Sequence, residues 1–303
     1  MKKFLCSCLL MLLACTASAQ ERLTDLDMAK IARFGFGNIL TGAWTEQDGW
    51  VTADALQGSD RFRLLRIWGG EACRLVGLNG TKDAAVISAI HSDHPGEFRD
   101  AKPGIYSFDT HTASYTVHEP SGLLTVLCEW EPQPRLSAAL SLNSQVYRDI
   151  VKRFLSARGL HIETTKLSQL FKIDLEGDGV DEVLVCAQNI AAKGEACFEA
   201  DTPLVMGSGL PGTAQENAYS VLFLRKIVGG KVLELPLHEY VSSQDGPPVI
   251  AKAFQFADLN GDGILEIITG TASCDGYAHH VFEVKGGAVH KVLSCWMDFR
   301  RRP

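Results

Sequence analysis

Two nine-residue acidic stretches in the C-terminal half carry the residue types best suited to chemistry. They read Asp174-Leu-Glu-Gly-Asp-Gly-Val-Asp-Glu182 and Asp258-Leu-Asn-Gly-Asp-Gly-Ile-Leu-Glu266. Both place oxygen-bearing side chains at positions 1, 3, 5 and 9. The glycines between them permit left-handed turns, which let those oxygens converge. A converging set of oxygens is what a hard cation requires.

Calcium is the cation that this pattern predicts. It takes roughly 6–8 oxygen ligands, backbone carbonyls included, so the carbonyl at the seventh position of each loop is a natural addition. The predicted ligands are Asp174, Glu176, Asp178, Val180 and Glu182 in the first loop, and Asp258, Asn260, Asp262, Ile264 and Glu266 in the second. Magnesium rarely receives so many protein ligands, and neither loop contains a thiolate or imidazole that would favour zinc.

Two simpler interpretations of the loops stay open. Asp, Asn and Gly are common in ordinary turns, although two copies at equivalent places favour metal binding. Calcium could also bind only to hold the turns closed, and we expect this structural role. Carboxylates that converge without a cation repel one another, so an ion that binds only the folded chain stabilises it.

The residues after the loops exclude one family and point to another. An EF-hand would need Glu at position 12 and then a helix, but that position is Val185 in one copy and Thr269 in the other, and β-branched sequence follows. The loops and their trailing strands resemble the FG-GAP or VCBS repeats of integrin-like propellers, over about residues 165–295. The resemblance implies β-propeller-like units and places calcium ligands on the side chains at positions 1, 3, 5 and 9 of both loops.

The sequence departs from that family in two ways. Glu176 stands where the family has a shorter Asp or Asn, and both ninth positions are Glu. Two loops also do not make a closed propeller, which needs typically 4–8 blades. An incomplete propeller, further blades without the loop, and an open β-layer domain therefore all remain alternatives.

The elements around the loops are predicted from apolar spacing and turn residues. Glycine pairs predict two hairpins, one with strands at 221–227 and 231–235, the other with strands at 281–284 and 289–293. A unit of loop, strand, connection and hairpin thus occurs twice, and the first copy carries an insertion at about 189–217. Residues 143–160 have the spacing of a helix, with Asn143 or Ser144 as its cap and Gly159 at its end.

The N-terminal half is predicted to be β-rich with minor helix. Strands are expected at 62–68, 106–117 and 123–130, a short helix near 82–90, and a hairpin turn at 68–71. Pro132 and Pro134 mark a boundary. The predicted organisation is a signal peptide (1–19), a β-rich domain (20–140) and a calcium-loop domain that begins with a helix (141–303). The fold class is mainly β with minor helix.

The first nineteen residues predict export from a bacterial cell. Lys2 and Lys3 precede an apolar run too short to span a bilayer, and Ala17-Ser18-Ala19 forms a cleavage site. The alternative is a lipoprotein signal, in which Cys15 is acylated and anchors the chain. The expected location is thus periplasmic or extracellular, or the outer membrane as a lipoprotein. No later segment predicts a membrane span.

Charge and cysteine content restrict the partners and the compartment. The chain has 29 Lys and Arg against 36 Asp and Glu, which argues against nucleic acid and favours cations. Six cysteines lie beyond the signal peptide, an even count that suggests disulfides in an oxidising compartment. Cys186 with Cys197, and Cys274 with Cys295, are local candidates, and a set of buried thiols is the alternative.

These patterns predict an exported calcium-binding module that is non-catalytic and binds or scaffolds an unidentified protein or glycan. The alternative is a secreted or periplasmic hydrolase with structural calcium, its active site in residues 60–142 or 189–217. The pair His279-His280 is expected on a strand, with one ring on each face.

Overall fold

The structure is a computed structural model that describes residues 30–36, 39–53, 55, 72–78, 80–92, 106–112, 116–117, 124–190, 216–242 and 247–298. The predicted signal peptide with Cys15, the strand at 62–68, the turn at 68–71, Cys197 and most of the insertion at 189–217 lie outside these residues. No helix in the described ranges is long and apolar enough to cross a membrane.

The prediction of a mainly β chain is confirmed. The elements of the N-terminal half are β1 (Ile31–Phe36), β2 (Ile39–Thr45), β3 (Gly49–Thr52), β4 (Ala72–Gly77), β5 (Gly80–Ser92), β6 (Tyr106–Thr112), β7 (Thr116–Val117), β8 (Leu124–Leu127) and β9 (Ala138–Ala139). They are followed by α1 (Gln145–Ser156), β10 (Leu167–Ile173), β11 (Glu182–Gln188), β12 (Tyr219–Val228), β13 (Lys231–Val241), β14 (Ile250–Ala257), β15 (Glu266–Ala272), β16 (Gly276–Lys285) and β17 (Ala288–Asp298).

The strands form three antiparallel sheets, and the middle and C-terminal sheets are open within the described part of the chain. The N-terminal sheet has the order β3-β2-β1-β8-β4-β5-β6-β7, with one further bridge between β2 and β6. The middle sheet has the order β13-β12-β11-β10-β9 and the C-terminal sheet the order β14-β15-β16-β17. The last two are simple meanders, in which each strand from β10 onward pairs with the next in its sheet.

One prediction for the N-terminal half is wrong. The segment predicted as a short helix near 82–90 lies inside strand β5, which pairs with β4 on one edge and β6 on the other. A short run rich in Ala, Val and Ile fits either element locally, and pairing with distant strands decides between them. The strand predicted at 106–117 is present as β6 and β7, and that at 123–130 as the shorter β8.

The predicted helix and both hairpins of the C-terminal half are confirmed. Helix α1 starts after Ser144 and is followed by Gly159, whose φ of 81° is the left-handed conformation that ends helices. The two hairpins, β12 with β13 and β16 with β17, turn at the predicted glycine pairs. All four turn glycines have positive φ.

Three clusters of buried residues in the described part of the chain hold the sheets together. One joins the N-terminal sheet, through Phe34 and Leu124, to the C-terminal sheet. The second packs α1 on the middle sheet, with the rings of Phe154 and Phe223 stacked 4.2 Å apart. The third lies between the middle and C-terminal sheets and includes Leu222 and Phe256. This third cluster brings the two acidic loops side by side.

Candidate metal centre

The two acidic loops occupy equivalent places and touch each other. The first connects β10 to β11 and the second connects β14 to β15, so each loop joins two neighbouring antiparallel strands. The backbone N–H of Leu265 in the second loop donates to the carbonyl of Leu175 in the first at 2.9 Å. The sequence resemblance between the loops therefore extends to one shared location in the fold.

The first residue of each loop organises its own turn. Oδ1 of Asp174 accepts from the N–H of Gly177 at 2.6 Å and Oδ2 from that of Gly179 at 3.0 Å. Asp258 accepts from Gly261 and Gly263 at the same two distances. The four glycines have φ between 72° and 83°, the left-handed region in which a side chain would be strained. The glycines thus have the role that the sequence predicts.

The fifth and ninth residues are also placed alike in both loops. Oδ1 of Asp178 accepts from the N–H of Val180 at 2.9 Å, and Oδ1 of Asp262 accepts from the N–H of Ile264 at 2.8 Å. The ninth residues, Glu182 and Glu266, are buried and fold back on the second residue of their own loop: Glu182 Oε2 accepts from Leu175 N at 3.0 Å and Glu266 Oε2 from Leu259 N at 2.7 Å. The other carboxylate oxygen of each ninth residue, Oε1, accepts from a different partner: Lys226 for Glu182, and Asn260 for Glu266.

In the first loop the acidic side chains converge on a lysine from β12. The ammonium of Lys226 donates to Glu176 Oε2 at 2.6 Å and to Glu182 Oε1 at 2.7 Å. Only 6% of the Lys226 side chain is exposed. Burial alone would lower the pKa of this ammonium, but the two carboxylates outweigh burial and raise it. A protein cation therefore lies where the first loop gathers its negative charge.

In the second loop the acidic side chains converge on the carboxamide of Asn260. Its Nδ2 lies 3.1 Å from Asp262 Oδ2, 3.1 Å from Glu266 Oε1 and 3.4 Å from Glu283 Oε1. Glu283 belongs to β16 and adds a carboxylate that the loop itself does not contain. A neutral amide has two N–H groups for these three carboxylates, and it carries no formal charge.

The segment between β8 and β9 contacts both loops and places a different side chain over each. Trp130 lies over the second loop, where a Cβ on Gly261 would meet the indole ring at 3.2 Å, and its Nε1 donates to the carbonyl of Asp258 at 2.9 Å. Arg135 lies over the first loop, where a Cβ on Gly177 would meet the guanidinium at 2.8 Å. The Arg135 guanidinium also donates to the carbonyls of Asp174 and Gly263.

Burial affects the two loops differently. Burial raises the pKa of Asp258, and it raises the pKa of Glu266 well above its ordinary value with Asp262, Asp258 and Glu283 adding to the effect. At Asp174 burial acts in the same direction, but the N–H groups of the loop outweigh it and the pKa is lowered. The second loop therefore holds its negative charge at a greater electrostatic cost than the first.

The donor set of the second loop fits a hard cation on one condition. Asp258, Asp262, Glu266 and Glu283 supply carboxylate oxygens, the class of ligand that calcium prefers. As placed, no group of three or more His, Cys, Asp or Glu side chains in the described ranges could hold a metal ion. The Asn260 amino group fills the point of convergence, and turning that carboxamide by half a turn would direct Oδ1 there instead. That turn would also give up the hydrogen bond that Oδ1 accepts from the N–H of Asp262 at 3.0 Å.

The neighbours of the loops are the residues that sequence reasoning missed. Lys226 and Glu283 each stand three positions before the glycine pair of their hairpin, so aligning the two hairpins would have paired them. Such an alignment would have shown a charge reversal at one position. Trp130 and Arg135 give no comparable signal, because they reach the loops from a distant segment.

A cleft of about 440 Å³ lies away from the loops. Its lining includes Ser220, His238, Tyr240 and Trp296, and the Trp296 side chain is among the exposed large apolar groups. The imidazole of His238 contacts Thr269 Oγ1 at 2.7 Å, while Ser220 Oγ accepts from the N–H of Ala251. These contacts do not pair the serine with the imidazole.

Among the described residues, the buried His279 and His280 lie in the C-terminal sheet, and the partly buried His238 lies beside it. Rings of His238 and His280 are 4.8 Å apart, whereas His279 packs against Phe254 and Tyr277. His279 and His280 thus point to opposite faces of β16, as the alternation of a strand predicts. His280 is bracketed by Thr271 and Ser294, each 2.9 Å from one of its ring nitrogens.

The cysteines of the described ranges form no disulfide. Cys274 and Cys295, one of the two local pairs considered from sequence, are not joined, so that suggestion is wrong. The other pair includes Cys197, which is outside the described residues. Cys186 is a buried thiol that donates to the carbonyl of Ala251, and burial raises its pKa to about 11. A protonated thiol of this kind behaves as a small apolar side chain.

Comparison with known proteins gives no relative for this chain: no protein-family model, no curated protein and no solved structure matches it.

Proposed function

We propose that this chain is an exported calcium-binding β protein and that the second acidic loop is its principal ion site. The observation that carries the proposal is the convergence of three carboxylates on one atom. Oxygens of Asp262, Glu266 and Glu283 lie 3.1–3.4 Å from the Asn260 Nδ2 atom. Asp258, Glu266 and Glu283 are buried, and burial of like charges is costly unless a cation compensates them.

Calcium suits this site better than other common ions. The ligands would be the carboxylates of Asp258, Asp262, Glu266 and Glu283 and the amide oxygen of Asn260, with the Ile264 carbonyl as the predicted backbone ligand. Magnesium is smaller and keeps more of its water, and zinc prefers imidazole and thiolate. The bound ion would neutralise the carboxylates and hold β14 and β15 together, which is a structural role.

The proposed biological role is non-catalytic binding or scaffolding in the bacterial envelope. Its support is the signal-like N-terminus and the resemblance of the two loop-and-strand units to the FG-GAP or VCBS repeats, which would make each four-stranded meander, β10–β13 and β14–β17, a propeller-like unit. A secreted hydrolase is the alternative. Its predicted active site lies in residues 60–142 or 189–217, so the contacts of His238 and Ser220 do not bear on it.

Thermal unfolding with calcium or with chelator tests the proposal. Extracellular calcium sites have dissociation constants of about 10⁻⁴–10⁻³ M. Millimolar calcium is therefore expected to raise the midpoint temperature of unfolding by about 5 °C. Magnesium at the same concentration should raise it much less. Asp262→Ala removes an exposed ligand and should abolish most of the calcium effect.

Asp178→Ala is the matched control for that variant. Asp178 has the same place in the first loop and accepts the same kind of hydrogen bond from the turn backbone. Both substitutions therefore remove one equivalent turn hydrogen bond. The control should keep the calcium response of the second loop. Equal midpoints for the unsubstituted protein in calcium and in chelator would contradict the proposal.

A further inference from the structure

We infer that the first loop is neutralised by the protein's own cations and takes no calcium, and that the residue three positions before each hairpin glycine pair decides which loop binds an ion. This residue is Lys226 in the first copy and Glu283 in the second. The inference about the second loop rests on the proposed function. The inference about the first rests on the Lys226 contacts alone.

The first observation is the exchange of charge at one structural position. Lys226 on β12 and Glu283 on β16 stand at the same distance from their glycine pairs, and each points at the ninth residue of its own loop. Lys226 reaches Glu182 directly, and Glu283 meets Glu266 through the amide of Asn260. The same position thus supplies a cation to one loop and a further anion to the other.

The second observation is that the ammonium makes the contacts that an ion would otherwise supply. It is buried, and it bridges the third and ninth residues of the loop at 2.6 and 2.7 Å. A calcium ion at the same point would stand beside a positive charge in a poorly solvated place, where repulsion is strong. The ammonium therefore excludes the ion as well as replacing it.

The third observation comes from the segment that covers both loops. The Arg135 guanidinium lies over the first loop and also donates to the Gly263 carbonyl at the edge of the second, whereas the neutral indole of Trp130 lies over the second loop. The exposed Lys30 donates to the Gly261 carbonyl of the second loop and to none of its carboxylates in the described contacts. Around the second loop, Lys285 is paired with Glu283 at 2.9 Å, but 54% of its side chain is exposed. A mobile surface lysine can turn away when an ion arrives, whereas Lys226 cannot leave without exposing two carboxylates to each other.

The departure of Glu176 from the family pattern has an explanation in this arrangement. A glutamate at the third position is one methylene longer than the Asp or Asn expected there. Its Oε2 reaches the Lys226 ammonium at 2.6 Å, whereas the shorter Asn260 of the second loop holds its amide nitrogen 3.4 Å from the Glu283 carboxylate. The first loop therefore has the same sequence pattern as the ion site, but it is held by a lysine–carboxylate contact and needs no metal ion.

Counting bound calcium by equilibrium dialysis of the full chain and two charge-swap variants tests the inference. We expect one calcium per chain in the unsubstituted protein, none in Glu283→Lys and two in Lys226→Glu. Unfolding midpoints should agree: Glu283→Lys should melt at the same temperature in calcium and chelator, and Lys226→Glu should melt far lower in chelator than in calcium.

Lys226→Met keeps a side chain of similar length and removes the positive charge. It replaces Lys226→Glu in the experiment if that variant fails to fold. It should lower the midpoint equally in chelator and in magnesium, and calcium should recover part of the loss. Two ions in the unsubstituted protein would overturn the inference and leave the proposed function standing. No ion in the unsubstituted protein would overturn the proposed function. A Lys226→Met midpoint unchanged in chelator would show that the ammonium contributes nothing to the first loop.

Discussion

Lowering the pH from 7 to 5 is expected to destabilise the folded protein strongly through three imidazoles with lowered pKa, those of the partly buried His238 and the buried His279 and His280. Burial lowers the pKa of His238 to about 3, with His280 and Lys291 adding to the effect, and burial with His280 lowers that of His279 to about 3. Burial and Lys291 lower the pKa of His280 to about 4. All three rings are therefore neutral in the folded chain at pH 5.

The sign of the effect follows from proton uptake by the unfolded chain. Unfolded histidines have a pKa near ~6.5 and bind protons as the pH falls below that value, while the folded rings do not until about pH 4. Protonation then favours the unfolded state between pH 6.5 and pH 4, and each ring contributes about 2 kcal/mol of destabilisation by pH 5. Together the three rings lower the free energy of unfolding by about 6 kcal/mol at most. This is a large fraction of the unfolding free energy of a typical protein.

Urea unfolding at a series of pH values measures this effect. Carboxyl groups with raised pKa, such as that of Glu266, act in the opposite direction, so variants are compared rather than absolute slopes. His238→Gln should remove about a third of the loss of stability between pH 7 and pH 5. His161→Gln, at an exposed position, should leave it unchanged. Equal pH dependence in all three proteins would show that the buried rings do not titrate as expected.

The second large effect is expected from the stacked rings under helix α1. Phe223 is fully buried, and its ring lies parallel to that of Phe154 within 11°. Phe223→Ala removes the ring and leaves a cavity between α1 and the middle sheet, which costs about 3–5 kcal/mol of unfolding free energy. Chemical denaturation by urea measures the loss directly.

Val146→Ala is the control, because Val146 is on the same helix with 65% of its surface exposed. It should change the stability by less than about 0.5 kcal/mol. Phe154→Ala with Phe223→Ala should lose less than the sum of the single variants by about 1 kcal/mol, since the two rings contact each other. Additive losses would mean that the stack contributes nothing beyond burial.

The parts of the fold that sequence predicts well are those fixed by local chemistry. Both hairpins turn at their glycine pairs, because only glycine adopts positive φ there without strain. Helix α1 keeps its apolar face at helical spacing and lies between Ser144 and Gly159 as expected. Asp174 and Asp258 form the same turn, since the hydrogen bonds of each involve residues at most five positions away.

The parts that sequence misses depend on contacts between distant segments. Strand β5 was predicted as part helix, because nothing within it shows that β4 and β6 pair with its two edges. Lys226 is 44 residues from Glu182, and Trp130 is 128 residues from Asp258. The loop pattern alone gives two equal candidate sites, and the difference between them comes from these distant neighbours.

Sensitised terbium luminescence shows directly whether the second loop binds a hard cation. Terbium takes oxygen ligands as calcium does, and Trp130 over Gly261, with Trp50 on Glu283 at 2.9 Å, would transfer excitation energy to an ion in the second loop. We expect sensitised emission that excess calcium abolishes and magnesium does not. The emission should weaken in Trp130→Phe and be lost in Asp258→Asn. Emission no stronger than that of terbium alone, or emission that calcium leaves unchanged, would contradict a calcium site in this loop.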